Sequence, residues 1–476
     1  MDTRDIKNVR QSRATAGLLL MTLLGLSACS TPLGGPDYTR PDLPDKANWS
    51  QLDGREISAS EIIHPEWWQQ FGDPFLDNLI DQALDQSLTL SLASLRLERA
   101  GIELKDRRRS LFPDYSLNPE ARVRGGKQQT TQDSNDISAG ITWEIDIWGK
   151  IRKDVNATAA NYRSNEMLWR GTYLKLVSDV ASRYFNIRQF DEQIAHQTSS
   201  LRNSESLLQI YEQQYAEGMV PRTRILNQKS EISSLTSQLR ELQRGREESE
   251  LKLATLLGIP AGQFRVPQGN LESLSLIDVP VVLPADILSQ RPDVLAAEFN
   301  VLRTHELLGK ARLARLPTLN LVSNFNLAEL ATTTWTWGLS TSFKGMFDRD
   351  VYINIDSSEV SLKTAVEEYR VSVLTAFEEV EIALLNLRTR KEQMKLLEAQ
   401  IADLTTVRDV NLQRLRAGLI SQLEMFETER TLLSAQQGLL AAYQQVLTDT
   451  VILYIALGGG WPQEVVSEQS VASNNT

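Results

Sequence analysis

The 476 residues carry a formal net charge of −11 at neutral pH and are 41% hydrophobic, 23% charged and 7% aromatic. An acidic balance argues against nucleic acid as a partner, and a single cysteine excludes an internal disulfide. The length fits two domains or one duplicated unit, and the wealth of Leu, Ala, Glu, Gln and Arg favours helix.

Residues 1–28 read as a targeting segment outside the fold. Arg4, Lys7, Arg10 and Arg13 precede an apolar run, Gly17 to Leu26, that is too short to span a bilayer. Leu26-Ser27-Ala28-Cys29 then resembles a bacterial lipobox, whose cysteine becomes the diacylated N-terminus. Cys29 is the expected lipidation site, and Ser30 in place of aspartate favours the outer membrane of a Gram-negative cell. Loss of residues 1–28, with their net +2, takes the mature chain to −13. Residues 29–65, rich in Pro, Gly, Asp and Ser, read as an extended segment leading from the anchor.

From Pro74 to Leu111 apolar residues recur at helical spacing, through Leu76, Leu79, Ile80, Ala83, Leu84, Leu88, Leu92 and Leu95, and Pro113 ends the pattern. Strict alternation follows at about 115–124 and 137–147, joined by a polar loop, Gly125 to Asp136. Helix then runs from Lys150 to Ala216, roughly 100 Å. A turn at Gly218 leads to a helix from Pro221 to about Leu257, closed by Gly258 and Pro260, and residues 259–285 form an irregular connector.

The order then repeats. A helix from Arg291 to Arg315 is ended by Pro317, strands are expected at about 319–327 and 335–344, and a long helix runs from about Ser357 to Arg416. Gly418 suits a left-handed C-cap, and Ser421 with Glu424 suits a capping box at the start of the last helix. Pro113 and Pro317 lie 204 residues apart and the two turn glycines 200 apart, which defines repeats over 66–258 and 286–460, with a tail over 461–476.

Each strand has one apolar and one polar face, the length and alternation of a transmembrane β-strand. Trp143, Trp148, Trp335, Trp337, Phe343 and Phe347 lie in or beside the strands, as an interfacial girdle would. Lipid tolerates no unpaired strand edge, and four strands are too few to close a barrel, so the chain must oligomerise.

Several stretches together carry a family resemblance: Trp67-Trp68-Gln69-Gln70-Phe71-Gly72-Asp73-Pro74, Trp143-Glu144-Ile145-Asp146-Ile147-Trp148-Gly149-Lys150, Gln290-Arg291-Pro292-Asp293, Val373 to Glu381 and Tyr454 to Trp461. In them the chain resembles the TolC/OprM-like outer-membrane factors, in particular the lipoprotein branch of NodT type. The resemblance implies a mainly α fold with transmembrane β. An internally duplicated helix-strand-strand-helix-helix unit would form, as a homotrimer, a twelve-strand β-barrel on a twelve-helix α-barrel. It further implies a passive, non-enzymatic exit duct of a tripartite efflux or type I secretion system, without cofactor beyond lipid. A periplasmic adaptor (membrane-fusion) protein and an inner-membrane pump would be its partners.

The resemblance also assigns a periplasmic gate to the hairpin turns at Gly218 and Gly418. Glu424 and Glu427 would ring the constriction and Leu423 would form an apolar collar, with the capping box as a competing role for Glu424. An aspartate common in the family's first hairpin is here Arg224, which is expected to pair with Glu424 or Glu427 across the tip. Asp348-Arg349-Asp350 replaces a common Gly-Gly-Arg after the fourth strand. His64, His196 and His305 form no metal cluster in sequence, and His305-Glu306 begins an HExxH that Gly309 breaks. Lys105 to Arg109 is a solvated helix end or faces lipid headgroups. The rival reading is a periplasmic structural lipoprotein, a coiled-coil spacer without a pore. The transported substrate and the pump class are not encoded in any of these motifs.

Overall fold

A computed structural model describes residues 34–44, 49–50, 65–126, 129–279, 290–328 and 332–461. The leader, Cys29, His64 and residues 462–476 lie outside the described residues. The chain divides into two compact units.

The first unit comprises Met1–Asp42, Ala100–Arg163 and Glu298–Glu368. It holds one sheet of β1 (Asp114–Gly126), β2 (Gln129–Ile145), β3 (Thr318–Ala328) and β4 (Thr332–Ser342). The strands pair antiparallel in the order β1-β2-β3-β4, so the two repeats meet where β2 joins β3. The register sets Leu117, Ala139, Phe325 and Trp335 in one row, and Tyr115, Ile141, Ser323 and Trp337 in another on the same face. The opposite face carries the rows Ser116, Gly140, Asn324, Thr336 and Asn118, Ser138, Asn326, Thr334. The parity expected from alternation therefore extends across all four strands.

The strand limits differ from expectation. Gly125 to Asp136 is not a loop: Arg122 pairs with Ser134, Arg124 with Gln132 and, past an irregularity, Gly126 with Gln129. Backbone pairing needs no apolar side chain, and a stretch polar on both faces leaves no period-two signal to read. β2 ends at Ile145 and β4 at Ser342, each two residues short of expectation. Beyond β2, Asp146 accepts from the backbone N–H of Ile151 and Arg152 at 3.0 and 2.9 Å, and Gly149 takes a φ of 82°.

Eight α-helices complete the described chain: α1 (Pro74–Gln86), α2 (Leu88–Arg109), α3 (Lys150–Ala216), α4 (Arg222–Leu256), α5 (Pro292–Leu313), α6 (Lys344–Phe347), α7 (Arg349–Arg416) and α8 (Gln422–Ala456). α7 begins at Arg349 rather than near Ser357, because the Asp348 carboxylate accepts from Asp350 N–H at 3.0 Å and caps the first turn. Within the first unit, Glu306 takes Lys153 Nζ at 3.1 Å and Asn156 Nδ2 at 3.4 Å. Burial raises the Glu306 carboxyl, but the neighbouring His305 and the hydrogen bond from Lys153 bring it below its ordinary value. The broken HExxH is thus a helix-to-helix bridge. Residues 34–42 lie on these helices: Arg40 pairs with Glu298 at 2.7 Å, and Gly34 sits against Leu313 and Lys153.

The second unit comprises Leu43–Arg99, Ser164–Ala297 and Tyr369–Thr476. Its core gathers Trp67, Trp68, Phe71, Leu76, Ile80, Tyr184, Phe185, Leu253 and Tyr454, all nearly free of solvent. Trp67 stacks on Tyr454 with ring centroids 4.7 Å apart, which brings together two stretches far apart in sequence. Asp73 caps α1 by accepting from Phe75 N–H at 2.9 Å, and also accepts from the Tyr184 hydroxyl. Arg188 bonds that hydroxyl at 2.8 Å and the Pro267 carbonyl at 2.6 Å. Arg246 joins Asp191 at 2.6 Å and Glu250 at 2.7 Å, and Arg265 reaches Glu250 at 2.9 Å. The described part of the irregular connector is pinned to α3 and α4 by these ions.

Buried Arg291 ties three motif stretches by donating to Asp293 at 2.8 Å, Glu379 at 2.5 Å and the Ala456 carbonyl at 3.1 Å. The helix expected over Pro74–Leu111 is broken at Ser87, which takes an extended ψ of 122°. The break is invisible as periodicity because Leu84 and Leu88 keep the spacing. Of α2's apolar residues Leu90, Ala93 and Leu97 are buried, whereas Leu88, Leu92 and Leu95 are exposed. Trp49 is buried edge-on to Phe377 at 6.1 Å, and Ser50 donates to Glu381 at 2.8 Å, so the N-terminal segment is not a free tether there. α8 is long and apolar enough to cross a membrane, but most of its apolar stretch is buried inside the protein, the signature of a core helix.

Candidate functional site at the hairpin turns and the sheet

The turns between α3 and α4 and between α7 and α8 share one backbone. Gly218 and Gly418 adopt φ of 76° and 72°, values that favour glycine. Gly218 N–H donates to Tyr215 O at 3.0 Å and Met219 N–H to Gln214 O at 2.8 Å. Gly418 N–H donates to Leu415 O at 3.0 Å and Leu419 N–H to Arg414 O at 2.8 Å. Both are Schellman caps, and the C-cap expected at Gly418 is present.

The capping box is present as well. Ser421 Oγ accepts from Glu424 N–H at 3.3 Å, and Glu424 Oε2 accepts from Ser421 N–H at 3.2 Å. Glu424 is therefore held against its own helix start. Leu423, Glu424 and Glu427 lie on the exposed side of α8, with Leu423 68% exposed, while Gln422 and Met425 are buried. The three residues assigned to the gate thus share a face turned away from this chain's own packing. Arg224 is half-buried with its guanidinium 5.4 Å from the centre of the Tyr211 ring. Among the described residues of one chain, no ion pair joins Arg224 to Glu424 or Glu427.

Sequence reasoning missed what holds the two hairpins together. Gln422 Nε2 donates to Gln228 Oε1 at 3.0 Å, and Gln228 Nε2 donates to Ser204 O at 2.9 Å, with Gln228 fully buried. Farther along, Gln197 Nε2 donates to Leu235 O at 3.1 Å, and Gln437 reaches Gln197 at 3.4 Å. The only sequence signal is a glutamine at positions that helical periodicity assigns to the core. A cavity of about 620 Å³ opens along this seam, lined by Ser199, Asn203, Glu231, Arg408 and Glu429 among others. Burial raises the Glu429 carboxyl, Arg408 opposes that shift and Glu231 reinforces it.

The second part of the site is the sheet. Tyr115, Leu117, Trp335, Trp337 and Leu339 stand exposed on one face, Trp337 at 69%. The row partners on the other face are small and polar, and Ser138 and Ser116 donate to strand carbonyls. β1 and β4 are edges without a partner strand among the described residues. Trp143 and Trp148 are half-buried and donate to the carbonyls of Leu111 and Pro317 at 3.1 and 2.7 Å.

A family model described as outer membrane efflux protein matches residues 79–259 and 283–459. The cation efflux system protein CusC of Escherichia coli O6:H1 is 27% identical over 467 residues, covering 92% of this chain and 97% of CusC. The probable efflux pump outer membrane protein TtgC of Pseudomonas putida is 28% identical, covering 96% of this chain and 99% of TtgC. Among solved structures, the outer-membrane channel OprN matches with a TM-score of 0.80 at 24% identity, over 90% of this chain and 99% of OprN. The open-state channel MtrE of Neisseria gonorrhoeae matches with 0.80 at 22% identity, over 91% of this chain and 99% of MtrE. The fold is that of these helical channels with a β-barrel end.

Proposed function

The chain belongs to the outer membrane efflux protein family, and from that premise we propose that it works as a homotrimer whose sheets close into one barrel. It is an outer-membrane channel for efflux, and a spacer without a pore is not favoured. The observation that supports the trimer is the open sheet, apolar on one face and polar on the other, with two free edges. Lipid tolerates no such edge. Two sheets would give about eight strands with an interior filled by side chains, whereas three give about twelve and a water-filled lumen. The exposed stripe of Leu88, Leu92 and Leu95 supports the same reading, since a second copy would bury it.

In this reading the duct is passive and holds no catalytic group or cofactor beyond lipid on Cys29. An inner-membrane pump supplies the energy through a periplasmic adaptor that meets the hairpin turns. Beside hydroxyls and amides the polar sheet face carries the carboxylates Glu120 and Glu144, and in this reading cargo is chosen by the pump, although CusC is named for cations. Leu423, Glu424 and Glu427, three times over, ring the closed periplasmic end. Glu427 is the freer carboxylate because Glu424 is engaged in its capping box.

Unheated gels of the purified protein should show a trimer band that collapses on boiling. In planar bilayers Glu427→Ala should raise the resting conductance. A heat-insensitive monomer would sink the barrel. Arg224→Ala at unchanged conductance, beside a leaky Glu427→Ala, would remove Arg224 from the gate and leave it as a partner of Tyr211.

A further inference from the structure

In the second unit, α3 and α4 enclose a shallow recess of about 330 Å³. Arg183, Asn186 and Phe190 share one face of α3, at spacings of three and four residues, and all three are half-buried. The facing wall is α4, from Glu241 to Lys252. Gly245 is what lets the Phe190 ring lie there. An added Cβ would fall 2.7 Å from Phe190 Cζ and 2.9 Å from Cε1, so an alanine would displace the ring. Glycine inside a helix costs about 1 kcal/mol against alanine, so α4 is weakened where the ring is seated.

The charges of the recess do not balance. Arg244 donates to Glu241 at 2.5 Å and to Glu248 at 3.1 Å, and Lys252 reaches Glu248 at 2.5 Å. The Arg244 guanidinium holds the Glu241 carboxyl below its ordinary value, and Lys252 with Arg244 does the same for Glu248, so both acids stay ionised and engaged. Asp179, one turn before Arg183, is taken by Lys175 at 3.5 Å, and Arg183 has no carboxylate partner among the described residues. Three cations therefore line the recess with two carboxylates, and the surplus is the Arg183 guanidinium. Asn186 Nδ2 donates to Ser182 O at 3.0 Å, which leaves the amide oxygen to accept. The irregular connector lies on another side of the two helices, where Arg188 takes the Pro267 carbonyl, Arg246 the Val266 carbonyl and Asp191 the Gly269 N–H. Glu241, Arg244, Glu248 and Lys252 are exposed, so the recess opens to water.

We propose that this recess binds an aromatic carboxylate on the wall of the duct, with Phe190 on the flat ring, Arg183 on the carboxylate and the Asn186 oxygen on a ring hydroxyl or N–H. Its place on the wall rests on the reading of the chain as a trimeric channel, whereas the binding chemistry belongs to a single chain. A guanidinium matches a carboxylate with two parallel hydrogen bonds, and an aromatic ring stacks on a flat partner. The two contacts thus select different parts of one cargo. The pump still chooses what enters, and the recess sets which cargo pauses on its way out.

Equilibrium dialysis of the purified full-length protein against 2-naphthoate tests the chemistry. 2-Naphthylmethylamine lacks the carboxylate and cyclohexanecarboxylate lacks the aromatic ring. 2-Naphthoate should bind about tenfold tighter than either. Arg183→Gln should remove the preference over the amine, and Arg183→Lys should keep part of it. Phe190→Leu should remove the preference over cyclohexanecarboxylate and spare the preference over the amine. Gly245→Ala should weaken 2-naphthoate about threefold by displacing the ring. Equal binding of the three probes to the unsubstituted protein overturns the site, and so does unchanged 2-naphthoate binding in Arg183→Gln. The position on the wall is read separately, from Asn186→Cys in the intact trimer with the unsubstituted protein as background. A small thiosulfonate reagent should modify it, and a maleimide carried on a dextran too large for the tunnel should not. Equal modification by both puts the recess on the outer surface and sinks its place on the duct wall, whatever the dialysis shows.

Discussion

The two hairpin turns have the same Schellman geometry and part company three residues later. After Gly418 the next helix starts on Ser421, whose hydroxyl and Glu424 satisfy one another's backbone groups. After Gly218 it starts on Pro221, with no side-chain cap, and the residue equivalent to Glu424 is Arg224. An arginine cannot accept a hydrogen bond, so it lies on Tyr211 instead. Duplication kept the backbone that reverses the chain and let the charge at the tip invert. Beyond the Schellman bonds they share, the first turn is held by φ restriction and stacking, and the second by side-chain capping bonds.

The sharpest way to break this contrast is at the glutamine pair, where the hairpins meet. Gln422→Leu leaves the buried Gln228 oxygen without its donor and should cost about 1–3 kcal/mol, read as lost amide-exchange protection at both tips. Gln228→Leu added to it should restore much of that loss, because no orphaned group remains. Next in size, Ser421→Ala should loosen the second tip by about 1 kcal/mol, while Pro221→Ala should loosen the first by less, since it loses backbone restriction but no side-chain cap. Pro221→Ser combined with Arg224→Glu transplants the capping box and should slow exchange at the first tip by about the energy Ser421→Ala removes. If it does not, the difference between the turns lies in packing and not in the cap.

The smallest effect should be a pH dependence confined to the seam. Burial holds the Glu429 carboxyl above its ordinary value of 4.5. A raised folded-state value means that the folded hairpin binds the proton more tightly. Its stabilisation is then complete below the unfolded value and fades as pH rises through the folded one. Exchange at the seam should therefore slow on acidification, and Glu429→Gln should be slow at every pH. A Glu429→Gln protein that still tightens on acidification would point to another group of the cavity.

The sequence exposed those parts of the fold that have a period or a punctuating residue. Gly218, Gly418, Pro113 and Pro317 mark reversals because their own backbone limits force them, and strand parity follows from alternation. It concealed what depends on partners distant in sequence. Gln228 and Gln422 stand at core positions by period, but their partners show only once the helices are paired, and Arg291 meets Glu379 and Ala456 from 88 and 165 residues away. Leu88, Leu92 and Leu95 carry the helical spacing yet are exposed, because α2 has apolar side chains on two sides. The gate residues were legible only as a face of α8, and Glu424's attachment to Ser421 followed from local spacing alone.

The docking of residues 34–42 turns the N-terminus into a ruler. Gly34 is held against Leu313 and Lys153, and Leu313 lies five residues before β3. With Cys29 acylated, only five residues separate the acyl chains from that fixed point, a leash of at most about 18 Å. The lipid would then enter the bilayer close beside the foot of the sheet, so anchor and barrel must agree on one membrane plane. With that lipid in place, so short a leash would act as a depth stop, setting how far each copy sinks before its strands find their neighbours.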